Sequence, residues 1–218
     1  MKSILKKLFG AFGYALFPLG TLPMDTRRLQ VLIGLSEAYA LVEKVPGAIV
    51  ECGVGKGRTF LFFTHLASRE GKGRMVWGFD SFGGFPEPAP EDDSARKPRK
   101  GEWSGTSSDD ILRILSVAGV SADFIRTNVR LVAGFFDKSL AAYDGSPIAL
   151  LHIDADLYQS YRDVFTVLEP LVVSGGVILF DEYNEERWPG ASKAVDEYLL
   201  ETGRTLKTTS SGKYYVIK

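Results

Sequence analysis

The stretch Ala149-Leu-Leu-His-Ile-Asp-Ala-Asp-Leu-Tyr158 begins as an apolar run and ends in two carboxylates. A second stretch, Gly176-Val-Ile-Leu-Phe-Asp-Glu-Tyr183, places apolar and acidic residues in the same order. Short apolar runs of this kind are typical of buried parallel strands. The carboxyl ends of such strands line the ligand crevice of an open α/β sheet. We therefore expect the acids of the two stretches to face each other across one small space.

The acids at these two strand ends are candidates for a divalent metal site. Carboxylates held close together repel one another unless protons or a cation neutralise them. We expect Asp154 or Asp156 to face Asp181 and Glu182, and side-chain direction at a strand end does not decide between the first two. The alternative interpretation is a set of helix caps and surface acids. With two histidines and one cysteine in the chain, oxygen ligands favour magnesium, manganese or calcium over structural zinc.

Length, charge and cysteine content limit the class of protein. The chain has 218 residues, which is enough for one domain with a full core. Its net charge of -1 gives no general reason to expect nucleic acid as a partner. A single cysteine, Cys52, cannot form an internal disulfide, so we expect a reducing compartment and a cytoplasmic location.

The first 24 residues form a separate segment in this interpretation. Three lysines precede an apolar stretch, which superficially resembles a signal peptide. Gly10, Gly13 and Pro18 interrupt that stretch, and it is too short to span a bilayer. We expect a helical arm that packs on the body of the protein or on a second subunit of a homo-oligomer, with a secretory or membrane-surface role as the alternative. Residues 25–218 would form the main domain.

A strand, a glycine turn and a helix follow one another near residue 50. The apolar run of residues 48–52 leads into Gly53-Val-Gly-Lys-Gly57, and a helix is predicted from Arg58. Glycines let a ligand approach the backbone, and the helix N-terminus adds a positive dipole end. The next predicted strand ends at Asp80. An acid at this position typically accepts hydrogen bonds from ribose hydroxyls. We favour a nucleoside-binding turn over a merely tight turn, while the glycine spacing disfavours a dehydrogenase or a phosphate loop.

The order of elements predicts a doubly wound, mostly parallel α/β sheet, because strands and helices alternate along the chain. A hairpin formed by residues 205–217 would place an antiparallel strand at its edge. Residues 83–105 lack periodicity and are rich in proline, glycine and charge, which is typical of a lid or a disordered loop. Trp103, with Phe82 and Phe85, would either close over a ligand or pack on the body.

These motifs together resemble the macrocin O-methyltransferase-like (TylF-type) family of S-adenosylmethionine-dependent enzymes, from about residue 24 onward. The resemblance implies a Rossmann-like class I methyltransferase fold with seven strands and an antiparallel C-terminal strand. The matching segments are Val50-Glu-Cys-Gly-Val-Gly-Lys-Gly57, Gly78-Phe-Asp-Ser-Phe-Gly-Gly-Phe-Pro86, Gly134-Phe-Phe-Asp137, His152-Ile-Asp-Ala-Asp-Leu-Tyr158, Phe180-Asp-Glu-Tyr183 and Pro189-Gly-Ala191.

The resemblance also implies which residues hold the methyl donor, S-adenosylmethionine. It places the methionine part of the donor on the turn after the first strand, and the ribose and adenosine on the end of the second strand. The implied donor-binding residues are Glu51, Gly53, Gly55, Gly57, Thr59, Asp80, Ser81, Phe82, Gly134 and Phe135.

The resemblance further implies magnesium bound by Asp154, Asp181 and Glu182. Family members commonly have Asp-Asp-Tyr where this chain has Asp181-Glu-Tyr183. Our hypothesis is methyl transfer to a hydroxyl of a sugar or natural-product acceptor, with Asp154 as metal ligand and base. The alternatives are a catechol-type O-methyltransferase, a donor-binding protein without catalysis, and a nicotinamide dehydrogenase, which the glycine spacing disfavours.

Overall fold

The computed structural model describes residues 25–218, and the predicted N-terminal arm lies outside these described residues. The strands are β1 Ala48–Cys52, β2 Val76–Asp80, β3 Val129–Ala133, β4 Ile148–Ile153, β5 Val172–Phe180, β6 Lys207–Thr208 and β7 Tyr214–Ile217. The helices are α1 Thr26–Val42, α2 Arg58–Glu70, α3 Ser108–Val117, α4 Ala122–Asn128, α5 Phe136–Ser139, α6 Tyr158–Val167 and α7 Pro189–Thr202. Short 3-10 turns occupy Pro90–Asp92, Leu140–Ala142 and Glu169–Leu171.

The seven strands form one sheet in the order β3-β2-β1-β4-β5-β7-β6. The first five are parallel, and β7 runs antiparallel to β5. The predicted doubly wound, seven-stranded sheet is confirmed. The two-residue β6 pairs outside β7 and forms the edge. The strand order reverses between β1 and β4, and the crevice at such a switch point is where an open α/β sheet binds its ligands.

Helices cover both faces of the sheet, so β1 and β4 are buried along their whole length. Alternate residues of these strands enter two hydrophobic clusters. Val50 and Leu151 pack on the side of α6 and α7, whereas Ile49 and Leu150 pack on the side of α1 and α2. Among residues 25–218, the helices include none with the length and apolarity that a bilayer span requires.

Two elements differ from the sequence-based expectation. Helix α4 was not predicted, because it is seven residues long and buries none of them, which leaves little apolar periodicity. Strand β5 begins at Val172 and runs through Gly175 and Gly176, a pair of residues that is typical of turns. A Cβ at Gly176 would lie 2.8 Å from the Val172 side chain and 3.0 Å from the Ala149 carbonyl oxygen. The glycine is therefore required by close packing within the sheet.

The 83–105 loop packs on the starts of α6 and α7. Asp92 is 3% exposed, and its carboxylate accepts hydrogen bonds from the backbone N–H groups of Tyr158 and Ala89, both at 2.8 Å. It thereby satisfies a free N–H at the start of α6. A Cβ at Gly190 in α7 would lie 1.9 Å from Asp92 Oδ1, so the loop touches the backbone of α7 directly.

Candidate functional site

The turn after β1 has an open side and a closed side. Gly53 has φ +95°, and a Cβ there would lie 1.7 Å from the carbonyl oxygen of Asp154. Gly55 has φ +52°, and a Cβ there would meet no atom within 4 Å. Only glycine fits the first position, because β4 passes against it. The second position leaves space in which a ligand can approach the backbone.

Asp80 joins this turn to the end of β2. Its Oδ2 accepts a hydrogen bond from the Gly55 N–H at 2.7 Å, and its Oδ1 accepts one from the Phe82 N–H at 2.6 Å. The Gly134 N–H donates to the Asp80 carbonyl oxygen at 2.9 Å, which brings the end of β3 to the same edge. Each carboxylate oxygen keeps one further acceptor site for a ligand hydroxyl.

The other residues expected to bind the donor lie around this edge, with one exception. Thr59 is in the first turn of α2, and Phe135 is 41% exposed beside Gly134. Ser81 Oγ donates to the Gly84 carbonyl oxygen at 2.6 Å and accepts from the Gly83 N–H at 3.1 Å, so it shapes the bend after β2. Glu51 is the exception, because it is covered by the fold.

Glu51 is 1% exposed and faces His152 on the neighbouring strand. Its Oε1 lies 3.1 Å from His152 Nδ1, and its Oε2 has no hydrogen-bond partner within residues 25–218. Burial raises the pKa of Glu51 to about 7, although His152 opposes this. Burial alone would lower the pKa of His152, but Asp181 and Glu51 outweigh it and raise the pKa to about 9.

Asp181 is paired with a lysine that no local sequence pattern indicates. Lys213 Nζ forms an ion pair with Asp181 Oδ1 and donates to the Asp181 carbonyl oxygen at 3.2 Å. Burial opposes ionisation of Asp181, but His152 and Lys213 together hold its pKa below the usual range. Lys213 reaches this point because β7 pairs with β5, with Tyr214 opposite Phe180. The predicted hairpin is the only sequence signal that could have located it.

Asp154, Asp156 and Glu182 come together where β4 and β5 end. One carboxylate oxygen from each lies within 4.8 Å of the other two. Asp156 has φ +59° and is 9% exposed, and this left-handed backbone is uncommon outside glycine. The metal ligands expected from the sequence were Asp154, Asp181 and Glu182. In the structure, Asp156 lies with Asp154 and Glu182. Asp181 instead forms an ion pair with Lys213.

Helix α6 holds Glu182 in place. The Tyr161 hydroxyl donates to Glu182 Oε2 at 2.7 Å, and the Asp156 N–H donates to the same oxygen at 3.3 Å. The Glu182 side chain is therefore held in place by a buried tyrosine.

Burial and mutual repulsion disfavour the charged forms of the three acids. Burial and the Asp181 charge raise the pKa of Asp154 to about 6. Burial and neighbouring carboxylates raise the pKa values of Asp156 and Glu182 well above their ordinary range. Three oxygen donors that lack full charge compensation fit a hard divalent cation such as Mg²⁺. Its ligands would be Asp154, Asp156 and Glu182.

Comparisons with known proteins identify the family of this chain. The model of the macrocin O-methyltransferase (TylF) family matches residues 18–208. Demethyldecarbamoylnovobiocin O-methyltransferase of Streptomyces niveus is 32% identical over 165 residues, which cover 71% of this chain and 58% of that protein. Mycinamicin III 3''-O-methyltransferase of Micromonospora griseorubida is 30% identical over 166 residues, which cover 73% of this chain and 63% of that protein. The chain thus spans less than two thirds of the length of these curated relatives.

Solved structures share the fold. The crystal structure of a calicheamicin methyltransferase, CalS11, has a TM-score of 0.81 at 24% identity and covers 99% of this chain and 90% of that one. The structure of the O-methyltransferase NovP has a TM-score of 0.73 at 27% identity, and the match covers 87% of this chain and 80% of that one. The family model covers most of the chain, and the predicted resemblance is confirmed. The chain therefore belongs to the macrocin O-methyltransferase (TylF) family.

Proposed function

We propose that this protein transfers the methyl group of S-adenosylmethionine to a hydroxyl group of a sugar or natural-product acceptor, in a reaction that depends on Mg²⁺ or another hard divalent cation. Family membership supports the donor and the type of reaction. The names of the relatives support the acceptor class, since one is an O-methyltransferase of demethyldecarbamoylnovobiocin and another a 3''-O-methyltransferase of mycinamicin III.

The observation that carries the proposal is the contact between the glycine turn and the acid cluster. Gly53 lies so close to Asp154 that a Cβ would reach within 1.7 Å of its carbonyl oxygen, and the Asp154 N–H donates to the Cys52 carbonyl oxygen at 2.8 Å. A nucleoside held over the turn therefore lies beside the carboxylates. This adjacency suits a reaction that joins a donor carbon to an acceptor oxygen.

The donor end of the site binds and orients S-adenosylmethionine. The open space at Gly55 admits the methionine part of the donor, and the remaining acceptor sites of Asp80 suit ribose hydroxyls. The start of α2 adds a positive dipole end beside the turn. These contacts fix the sulfonium carbon with respect to Asp154.

The acceptor end of the site moves a proton. A lone pair of the acceptor oxygen forms the new O–C bond, the C–S bond breaks with its electrons going to sulfur, and Asp154 takes the hydroxyl proton. Asp154 is largely ionised at neutral pH, because its pKa is raised only to about 6, and general-base help of this kind is worth about 10²–10⁴-fold. When bound, the cation would favour the ionised form of the acceptor hydroxyl and fix its position.

A labelled-methyl assay tests this proposal. Purified protein with radiolabelled S-adenosylmethionine and Mg²⁺ is offered fractionated cell extract and simple glycosides, and labelled product is expected. The Asp154→Asn variant should lose at least about 10²-fold in kcat while still binding the donor. The exposed Asp93 provides a matched Asp93→Asn control that should remain active.

Two outcomes would count against the proposal in different ways. If no acceptor becomes labelled although the donor binds, methyl transfer is wrong and a binding protein without catalysis remains. If protein treated with a chelator methylates at full rate, the cation requirement is wrong while methyl transfer stands.

A further inference from the structure

Three aromatic rings surround the guanidinium of Arg96. The guanidinium carbon lies 4.6 Å from the Trp188 ring centroid, 4.8 Å from that of Trp103 and 5.6 Å from that of Phe85. The three rings also contact one another, with centroid separations of 5.1, 5.5 and 5.7 Å. Stacked cations and edge-to-face rings of this kind hold side chains in one geometry.

Trp103 is the exposed member of this group. It is 57% exposed, whereas Phe85 and Trp188 are 8% and 4% exposed. Its backbone has φ +66°, a conformation that residues with a side chain rarely adopt. The indole packs on two buried rings and still leaves more than half of the residue exposed to water. Its exposed part is therefore available to a ligand.

Arg96 fixes the orientation of the exposed ring. Its guanidinium forms a two-pronged pair with the Glu102 carboxylate, at 2.9 and 3.0 Å, and Glu102 directly precedes Trp103. Such forked pairs restrict both partners. Arg96 lies over the indole, and Phe85 and Trp188 also contact it. The part of the ring that these three side chains leave in solvent is here called its open face.

Trp103 is linked both to the donor turn and to the strand end that carries the acid cluster. Three residues further on, Thr106 Oγ1 donates to the carbonyl oxygen of Gly55 at 2.8 Å, which ties this segment to the glycine turn. On the other side, the Trp103 ring centroid lies 5.5 Å from that of Trp188. Backbone hydrogen bonds of 2.9 and 3.1 Å then lead from the Trp188 N–H through Glu185 to the Glu182 carbonyl oxygen. The exposed indole therefore belongs to a segment that is joined to both halves of the proposed site.

We propose that the open face of Trp103 is the stacking surface of the acceptor site. The accepted molecule would present a ring with an apolar face, either a pyranose or an aromatic ring, and a hydroxyl on its edge would point to Asp154. This inference rests on the proposed function and adds a specificity-determining residue to it. Stacking on indole needs only a flat apolar face, so it selects rings over open-chain polyols.

Steady-state kinetics of Trp103 variants test the inference. The acceptor probes are methyl α-L-rhamnopyranoside and catechol, which separate the two kinds of ring, and glycerol as an open-chain comparison. Trp103→Ala should raise the KM for the ring acceptor roughly tenfold, with an unchanged KM for S-adenosylmethionine and an unchanged melting temperature. Trp103→Phe should restore most of the affinity. Leu200→Ala, at a site 85% exposed on α7, is the matched control.

The results that overturn the inference are distinct from those that overturn methyl transfer. An acceptor KM that stays within about twofold in Trp103→Ala, against the tenfold that one lost stacking contact predicts, refutes the stacking role. A variant that loses donor affinity and thermal stability together shows that Trp103 only packs the loop. Either result leaves methyl transfer intact.

A binding measurement decides the question even if no turnover is found. Trp77 is 7% exposed, and Trp188 is also buried, so the emission of Trp103 is the most solvent-sensitive of the three. Methyl α-L-rhamnopyranoside or catechol should change this emission in the wild type and not in Trp103→Phe. If neither ring changes it, the stacking surface does not exist.

Discussion

Replacing Asp154 by asparagine should stabilise the metal-free protein at alkaline pH. Burial, together with the charge of Asp181, raises the pKa of Asp154 from its ordinary value of 3.8 to about 6. Because the folded pKa lies above the unfolded one, stability is lost as pH rises through this interval and stays lost above it. A rise of that size corresponds to roughly 3 kcal/mol. Asparagine keeps the shape of the side chain but carries no charge, so the variant avoids this loss.

The size of the effect depends on pH and on the cation. At pH 8 in EDTA, the free energy of unfolding of Asp154→Asn should exceed that of the wild type by up to about 3 kcal/mol. The difference should fall to about 0.5 kcal/mol at pH 4 and vanish at lower pH, where the aspartic acid is protonated in both the folded and the unfolded state. Saturating Mg²⁺ should reverse the order, since a ligand at 1,000 times its Kd adds ~4.1 kcal/mol to the protein that binds it. The variant, with one carboxylate fewer, should gain much less.

Urea unfolding followed by circular dichroism measures these free energies. Wild type, Asp154→Asn and the exposed control Asp93→Asn are compared at pH 4, 6 and 8, with EDTA and then with Mg²⁺. The reasoning fails if Asp154→Asn is the less stable protein at pH 8 in EDTA. It also fails if Mg²⁺ stabilises wild type and variant equally, because the cluster would then not be the cation site.

Three further substitutions have expected outcomes. Lys213→Met removes the partner of Asp181 and should lower metal-free stability by about 2 kcal/mol, since the pair is partly exposed. Calorimetry should also show tighter Mg²⁺ binding, and unchanged stability and affinity would contradict the pairing. Arg96→Lys keeps the charge but loses the planar guanidinium that pairs with Glu102, which should cost about 1 kcal/mol in thermal unfolding. An unchanged melting temperature would argue against a role of this pair in holding the loop. Gly53→Ala forces a Cβ against a carbonyl oxygen and should lose at least about 3 kcal/mol of stability or all soluble yield, so normal yield would show that β4 can shift.

Much of the fold could be predicted because β1 and β4 are buried on both faces and are almost continuously apolar. The predicted bounds of β1, residues 48–52, agree with the structure. The glycine turn and Asp80 were also found from sequence, since a turn and an acid at strand ends leave a local signal. Helix α4 left no such signal, because none of its residues is buried.

The composition of the acid cluster could not be derived in the same way. Asp156 reaches Asp154 and Glu182 on a left-handed backbone, and an alternating strand pattern does not encode that conformation. Asp181 is not part of the cluster because it pairs with Lys213. Lys213 lies more than 30 residues away in the chain and is brought to Asp181 by the pairing of β7 with β5. Long-range partners of this kind become visible only once strand order and register are fixed.

The contact between Asp92 and Gly190 limits how this protein could be re-engineered. A chimera that imports an acceptor loop from a relative would place a foreign side chain where Asp92 now caps α6. A Cβ at Gly190 would lie 1.9 Å from Asp92 Oδ1. A relative that has a larger residue than glycine at this position must therefore have a loop that packs on α7 in a different way. Loop and helix start form a matched module, and an exchange of substrate range should transplant both pieces together.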